Sequence, residues 1–259
     1  MALTVEQLAF WGANGWLLLP AYLDAAGLHR LEAAVADLAE RPETPGKWMK
    51  YFEPGAHGQR QLCRVENFLE HQAALAQLVN GRSMLSLISE LLGEQAVLFK
   101  EKINFKLPGG AGFQPHQDAP AFTSFAQTLH ITAMISVDAT TPENGCLEFA
   151  PHPGAGQTLQ LAPDLTIEPE IARRLEWTPL PTRAGDLLLF DSYLPHRSAG
   201  NRSAAARRAL YLTYARAAEG DYRLDYYARK RAAFPPDVER EPGSEYDDAG
   251  VFNVGNPIR

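Results

Sequence analysis

The chain has 259 residues, 46% of them apolar, and a formal net charge of −7. That length and apolar content suit one large domain with a sizeable core rather than a disordered chain. The acidic balance excludes a basic nucleic-acid footprint, and two cysteines, Cys63 and Cys146, are too few for a disulfide scaffold.

Met1 to Phe10 lack the basic and apolar regions of a signal peptide, and no apolar run approaches the ~20 residues of a membrane span. The expectation is a cytoplasmic protein, monomer or homodimer, acting on a small-molecule substrate, with neither nucleic acid nor membrane as partner.

Val5 to Asn14 reads as a helix, with Thr4 as N-cap and Gln7 completing a capping box, and Gly15 ends it. Trp16 to Leu19 is a buried strand stopped by Pro20. Asp24 can cap a second helix that carries Leu28, Leu31, Val35 and Leu38 on one face. Arg41 to Gln59 is rich in proline, glycine and charge and reads as a loop; Lys47 to Arg64, with Trp48, Tyr51 and Phe52, is either a lid or an ordinary surface loop. Leu75 to Leu92 has helical periodicity and is closed by Gly93.

Strands dominate thereafter. Val97 to Leu107, Leu129 to Val137, Gly145 to Ala150, Leu187 to Phe190 and Arg207 to Ala215 are separated by turn signals such as Pro108 to Gly112, Asn144-Gly145 and Gly185-Asp186. Helices first and strands later predict an α+β domain in three parts: a mainly helical buttress and lid over residues 1–96, a β core over 97–216, and a C-terminal wrap over 217–259.

Pro115-His-Gln-Asp118 is the strongest local chemical signal. Residues two apart on an extended segment share a face, so His116 and Asp118 can reach one metal. His196, in a sharply turned segment after the strand at 187–190, is the best third ligand. Two histidines and one carboxylate leave three of six positions open, which suits a non-haem iron(II) oxygenase in which a 2-oxo acid takes two positions and O2 the third. A closed structural zinc site needs four protein ligands, and neither cysteine sits at ligand spacing. By itself His-x-Asp is a common chance pattern. His29, His57, His71 and His152 lack such a partner and read as surface or satisfied core residues.

In chain order, Lys102-Ile-Asn-Phe-Lys-Leu-Pro-Gly-Gly110, Pro115 to Asp118, Asn144 to Leu147, Ala184 to Leu187, and Pro195-His-Arg-Ser198 with Arg207 eleven residues beyond His196 together resemble the phytanoyl-CoA dioxygenase family of iron(II)/2-oxoglutarate oxygenases. The likeness covers the chain up to about Tyr214. It implies a double-stranded β-helix core (a jelly roll, cupin-like) with buttressing N-terminal helices. It also implies Fe(II) on His116, Asp118 and His196, with 2-oxoglutarate and O2 as cosubstrates, and a cosubstrate carboxylate on Arg207 with help from Ser198. In that chemistry 2-oxoglutarate is decarboxylated to succinate and CO2 while an unactivated C–H bond is hydroxylated. Asp118 disfavours halogenation, since related halogenases carry a small residue there.

Further polar residues are placed around this frame. Strand alternation puts Arg207 with Ala209, Tyr211 and Thr213, and Arg208 on the opposite, more apolar face. Asn104 and Thr132 are assigned to the cosubstrate, and Lys102, Gln117, His130 and Tyr193 to the substrate. Lys102 and Asn104 serve equally well as edge-strand polar residues, and Lys106, beside a turn, reads as a solubility lysine. Asp191 and Tyr193 either hold the His196 ring or contact substrate. The expected substrate is a small polar metabolite: an amino acid, aminophosphonate, osmolyte or natural-product intermediate. No basic patch suits a coenzyme A diphosphate. A cupin-type metalloenzyme without 2-oxoglutarate and a non-catalytic binding jelly roll are the alternatives; Arg207 with Ser198 argues against the first and the intact triad against the second.

Overall fold

The Thr4 hydroxyl accepts the Gln7 amide (3.2 Å) and the Gln7 side chain accepts the Thr4 amide (2.9 Å), closing the capping box that starts α1 (Val5–Asn14). The computed structural model describes every residue except 1, 56–57, 155, 247–250, 257 and 259. Gly15, at φ +70°, turns the chain into β1 (Trp16–Leu19). Asp24 accepts the Gly27 amide at 2.7 Å and caps α2 (Ala25–Glu40), which buries Leu31, Val35 and Leu38.

The segment expected to be a loop holds an antiparallel hairpin instead, β2 (Met49–Pro54) with β3 (Arg60–Glu66). Met49 and Tyr51 alternate into the interior, and that burial outweighs the poor strand signal of the flanking glycines and prolines. The segment weighed as a lid or a surface loop is thus a hairpin at the edge of the large sheet. The single helix expected over 75–92 is broken at Asn80-Gly81 into α3 (Ala73–Val79) and α4 (Arg82–Leu92).

Next come β4 (Ala96–Lys106), β5 (Phe113–His116), β6 (His130–Ser136), β7 (Leu147–Phe149), α5 (Pro169–Arg174), β8 (Thr178–Leu180), β9 (Leu187–Asp191), β10 (His196–Ser198) and β11 (Arg207–Arg216). The stretch read as a polar wrap contains α6 (Arg223–Ala233), whose Tyr226, Tyr227 and Lys230 are buried.

Two antiparallel sheets face each other as a jelly roll: β1-β9-β6-β11-β4-β3-β2, and β5-β10-β7-β8. The outer face of the large sheet, with Ile103, Ile131, Ile135, Leu189, Leu210 and Leu212, packs on α2, α3 and α4 through Val35, Leu38, Val79, Leu87 and Ile88. This is the helical buttress, and it leaves the inner face free for chemistry. Direct cross-strand pairs set the rows of that inner face: Glu66 beside Lys102 beside Tyr211 beside Met134, and Arg64 beside Asn104 beside Ala209 beside Ser136. Opposite Thr213 and Tyr214 the register slips from Lys100 to Leu98, so Phe99 is an extra residue, and its ring lies 4.7 Å from that of His130.

Both cysteines are free and buried. Cys63 donates to the Tyr51 carbonyl at 3.2 Å, and burial pushes its thiol up to about 12. Among the described residues no helix is long and apolar enough to cross a membrane.

Leu38 is fully buried under the large sheet, whereas Leu224 on α6 is 71% exposed. Leu38→Ala is expected to cost ~2–5 kcal/mol in chemical denaturation, and Leu224→Ala less than ~0.5 kcal/mol. Equal losses would contradict the buttress.

Candidate active site

β5 and β10 are neighbours in the small sheet, and their register sets His116 opposite His196. The two rings are 4.1 Å apart, centroid to centroid. β5 ends at His116, and Asp118 opens a 3-10 turn over Ala119–Phe125. The ligand atoms of His116, Asp118 and His196 lie within 4.8 Å of one another, and all three residues are buried. Only His116 of the His-x-Asp pair is within a strand, and His196 is on a strand rather than in the turn before it.

Each histidine is oriented the same way. His116 Nδ1 faces the Gln114 carbonyl at 2.6 Å and His196 Nδ1 faces the Leu194 carbonyl at 2.9 Å. A backbone carbonyl only accepts, so each Nδ1 keeps its proton and each Nε2 offers a lone pair. Burial, and then its neighbour His196, depress the His116 pKa to about 3; burial likewise lowers His196. Burial alone would raise the Asp118 carboxyl, but His196, Lys100, His116 and Lys102 outweigh it and hold the group below the usual carboxylate range. Two neutral imidazoles and one carboxylate form a donor set fit for a divalent iron.

The cavity in front of this triad is lined by Lys100, Lys102, Asn104, Thr132, Ser198 and Tyr211, with Phe113, Leu147, Phe190 and Thr213. Lys102, Asn104, Thr132 and Ser198 were expected here; Lys100, Tyr211 and the apolar walls were not. Lys100 has the same parity as Lys102 and Asn104, which was the available signal, and its ammonium sits 4.4 Å from the Phe122 ring centroid. Burial is the main cause lowering both lysines, and it takes Lys102 well below its ordinary value.

Arg207 is 1% exposed and donates to the Tyr211 hydroxyl at 3.3 Å, while its Nε has no partner. Arg208 faces the other way and forks onto Asp138, with two contacts of 2.8 Å. Lys106 is no solubility lysine. It is buried and donates to Ser198 Oγ at 2.8 Å and to the Ala199 carbonyl at 2.6 Å, with burial and the nearby Arg207 pushing it down to about 6. Asn104 Oδ1 is also buried without a partner. Arg207 Nε and Asn104 Oδ1 thus each keep an unused hydrogen-bonding capacity.

The structure gives three expected substrate contacts other duties. Gln117 is fully buried and points away from the triad; its amide donates to the Gln157 and Tyr193 carbonyls and accepts from the Leu159 amide. His130 bonds to Gln127 at 2.9 Å between the rings of Phe99 and Phe122. The Tyr193 hydroxyl donates to the Thr128 carbonyl. Asp191 accepts the Tyr193 amide and lies 2.8 Å from His152 Nε2, so it holds neither His196 nor the cavity, and His152 does have a carboxylate partner. His57 lies outside the described residues.

The profile of the family described as Phytanoyl-CoA dioxygenase (PhyH) matches residues 11–209. The chain belongs to this family. It is 50% identical over 258 residues to a 2-aminoethylphosphonate dioxygenase from an uncultured bacterium (HF130_AEPn_1), covering 99% of this chain and 98% of the relative. It is 43% identical over 232 residues to a methylphosphonate hydroxylase of Gimesia maris, covering 90% and 88%. The fold matches that of EctD from S. alaskensis, solved with 2-oxoglutarate and 5-hydroxyectoine, with TM-score 0.69 and 18% identity over 84% of this chain and 77% of the other. This family member is an iron(II)- and 2-oxoglutarate-dependent dioxygenase acting on a small molecule.

His130 is not one of the triad, and burial, then Lys100, hold its pKa at about 3. A histidine depressed when folded contributes stability that is complete above its unfolded pKa of about 6.5 and is lost as pH falls through the folded value. The metal-free protein should lose stability steadily from about pH 6.5 downward. His130→Gln should flatten that loss, read as the change in urea midpoint between neutral and mildly acidic buffer. An unchanged slope would show that His130 does not carry it.

Proposed function

We propose that this dioxygenase hydroxylates a small phosphonate, with 2-aminoethylphosphonate the first candidate. The observation that carries this reading is the pair of lysine side chains on the cavity wall beside the triad, Lys100 buried and Lys102 half-buried. Formal charges support a role in holding an anion. Iron(II), Asp118, dianionic 2-oxoglutarate and Arg207 sum to zero, so the charged forms of Lys100 and Lys102, which burial disfavours, are left for a further anionic ligand to stabilise. Unpaired buried charge is costly, and a dianionic phosphonate group offsets both, the substrate's own ammonium standing outside this balance. The two relatives that cover most of this chain at the highest identities quoted above carry phosphonate names.

In this reading His116, Asp118 and His196 hold the iron. Arg207 receives the distal carboxylate of 2-oxoglutarate, flanked by Ser198, Lys106 and Tyr211, and Asn104 and Thr132 line the way from that carboxylate to the metal. A guanidinium forks onto a carboxylate as an ammonium cannot. Bound iron with 2-oxoglutarate and O2 supplies the oxidising power for hydroxylation, with succinate and CO2 as coproducts. The protein's own work is positional: Lys100 and Lys102 fix the phosphonate so that one C–H bond faces the metal, and Phe113, Leu147 and Phe190 exclude water. The same reading takes the enzyme as cytoplasmic, monomeric or homodimeric, with neither membrane nor nucleic acid as partner.

Succinate release by the iron-loaded enzyme should be stimulated by 2-aminoethylphosphonate or methylphosphonate and not by ectoine or an acyl-CoA. Stimulation by acyl-CoA alone would sink the proposal. Lys100→Ala and Lys102→Ala should each raise the phosphonate KM by about tenfold or more, and that of 2-oxoglutarate far less. Arg207→Ala should do the reverse, with a rise of roughly a hundredfold in the 2-oxoglutarate KM. Arg208→Ala, which loses only a partly exposed pair with Asp138, should leave both constants nearly unchanged.

A further inference from the structure

β5 carries the metal ligand His116 but is the four-residue edge strand of the small sheet. A short edge strand offers unpaired backbone groups and little of its own rigidity, whereas a metal ligand must be held closely in place. Two segments from elsewhere cover the open edge. The Ile167 amide donates to the Pro115 carbonyl and the Gln114 amide donates to the Gly255 carbonyl, both at 2.8 Å. The second contact brings the C-terminal segment against the triad.

The contact at Gly255 is close. A Cβ there would lie 2.7 Å from His116 Nδ1, 3.1 Å from His116 Cε1 and 2.9 Å from the Gln114 carbonyl oxygen. The backbone is at φ +69°, which also favours glycine. Gln114 is thus held by Gly255 through its amide and holds His116 Nδ1 through its carbonyl, so one residue relays the position of the segment to the imidazole. The segment has its own anchors. Asn253 Oδ1 accepts from Arg64 at 2.8 Å, the Asn256 amide bonds the Asn253 carbonyl at 2.9 Å, and Ile258 is buried in the cluster of Phe122 and Tyr226. Arg64 is in turn paired with Glu66, which Lys230 of α6 also reaches at 2.7 Å.

We infer that residues 251–256, anchored further by Ile258, form a brace for the metal centre, with Gly255 as the positioning residue that fixes the His116 ring. The inference rests on His116 being an iron ligand. Removing groups that orient a ligand typically weakens metal affinity by ~10–100-fold.

The test is anaerobic titration of the metal-free protein with Fe(II), and with Co(II), whose ligand-field spectrum reports coordination geometry. Gly255→Ala and Gly255→Asn should raise the metal Kd by about tenfold or more and alter the Co(II) spectrum. Gly243→Ala is the control, because Gly243 also has positive φ (+82°) but its Cβ would meet nothing. It should carry the same backbone strain and leave affinity and spectrum as in the wild type. A chain stopped after residue 250 should also bind metal at least tenfold more weakly, which keeps the test open if the glycine variants fold poorly. Wild-type affinity and spectrum in Gly255→Ala or in the shortened chain would overturn the brace, and so would equal weakening in Gly243→Ala. His116→Ala separates the two levels: if it binds metal like the wild type, the ligand assignment fails and not merely the brace.

Discussion

Everything at the centre of this molecule depends on keeping titratable groups out of water without leaving them uncompensated. The inner face of the large sheet carries Arg64, Lys100, Lys102, Lys106 and Arg207, against Glu66 and the triad's Asp118. Such a face is tolerable because the outer face of the same sheet is packed against three helices, which supply the apolar burial that the inner face forgoes. Glu66 shows the balance in one residue. Burial would raise its carboxyl, yet Lys230 and Arg64 bring it down to about 2. A protein stabilised on one side of a sheet can hold reactive charge on the other.

The same constraint orders the site into zones. Arg207 and Lys106 pair beside Ser198, and Lys102 and then Lys100 follow further along the same strand, on the cavity wall that the triad shares. Antiparallel register enforces this spacing, since Arg207 pairs with Lys106, Ala209 with Asn104, Tyr211 with Lys102 and Thr213 with Lys100. Two polar ligands can then lie along one ladder of strands β4 and β11 without sharing a cation.

Much of this was legible in the sequence because period-two alternation survives in long central strands. Both faces of β6 and β11 could be read from it, and so could the opposed directions of Arg207 and Arg208. The capping box at Thr4 and the cap at Asp24 were equally plain, since caps are local chemistry. The unread parts depend on tertiary context. β2 gains its pairing from β3 and its burial from Tyr51 stacking on Phe234, a residue far away in the chain. α6 has few apolar residues and buries tyrosines and a lysine instead. Gln117, His130 and Tyr193 were drawn to the substrate because polarity near a ligand motif suggests contact, whereas each answers a backbone or side-chain group on a neighbouring loop. Lys100 was missed one step along a face already recognised, next to the bulge at Phe99 that disturbs the pattern.

The burial of Cys63 has a consequence for the enzyme as an oxygen handler. Thiol oxidation proceeds through the thiolate, and a sulfhydryl whose proton is retained to about 12 and is shared with the Tyr51 carbonyl presents almost none of it at neutral pH. The sulfur in the wall of the hairpin is thereby kept chemically quiet beside a centre that works with dioxygen. Its place in the sheet rim, largely buried and with no second thiol bonded to it, makes it a filler of the core rather than a sacrificial reductant.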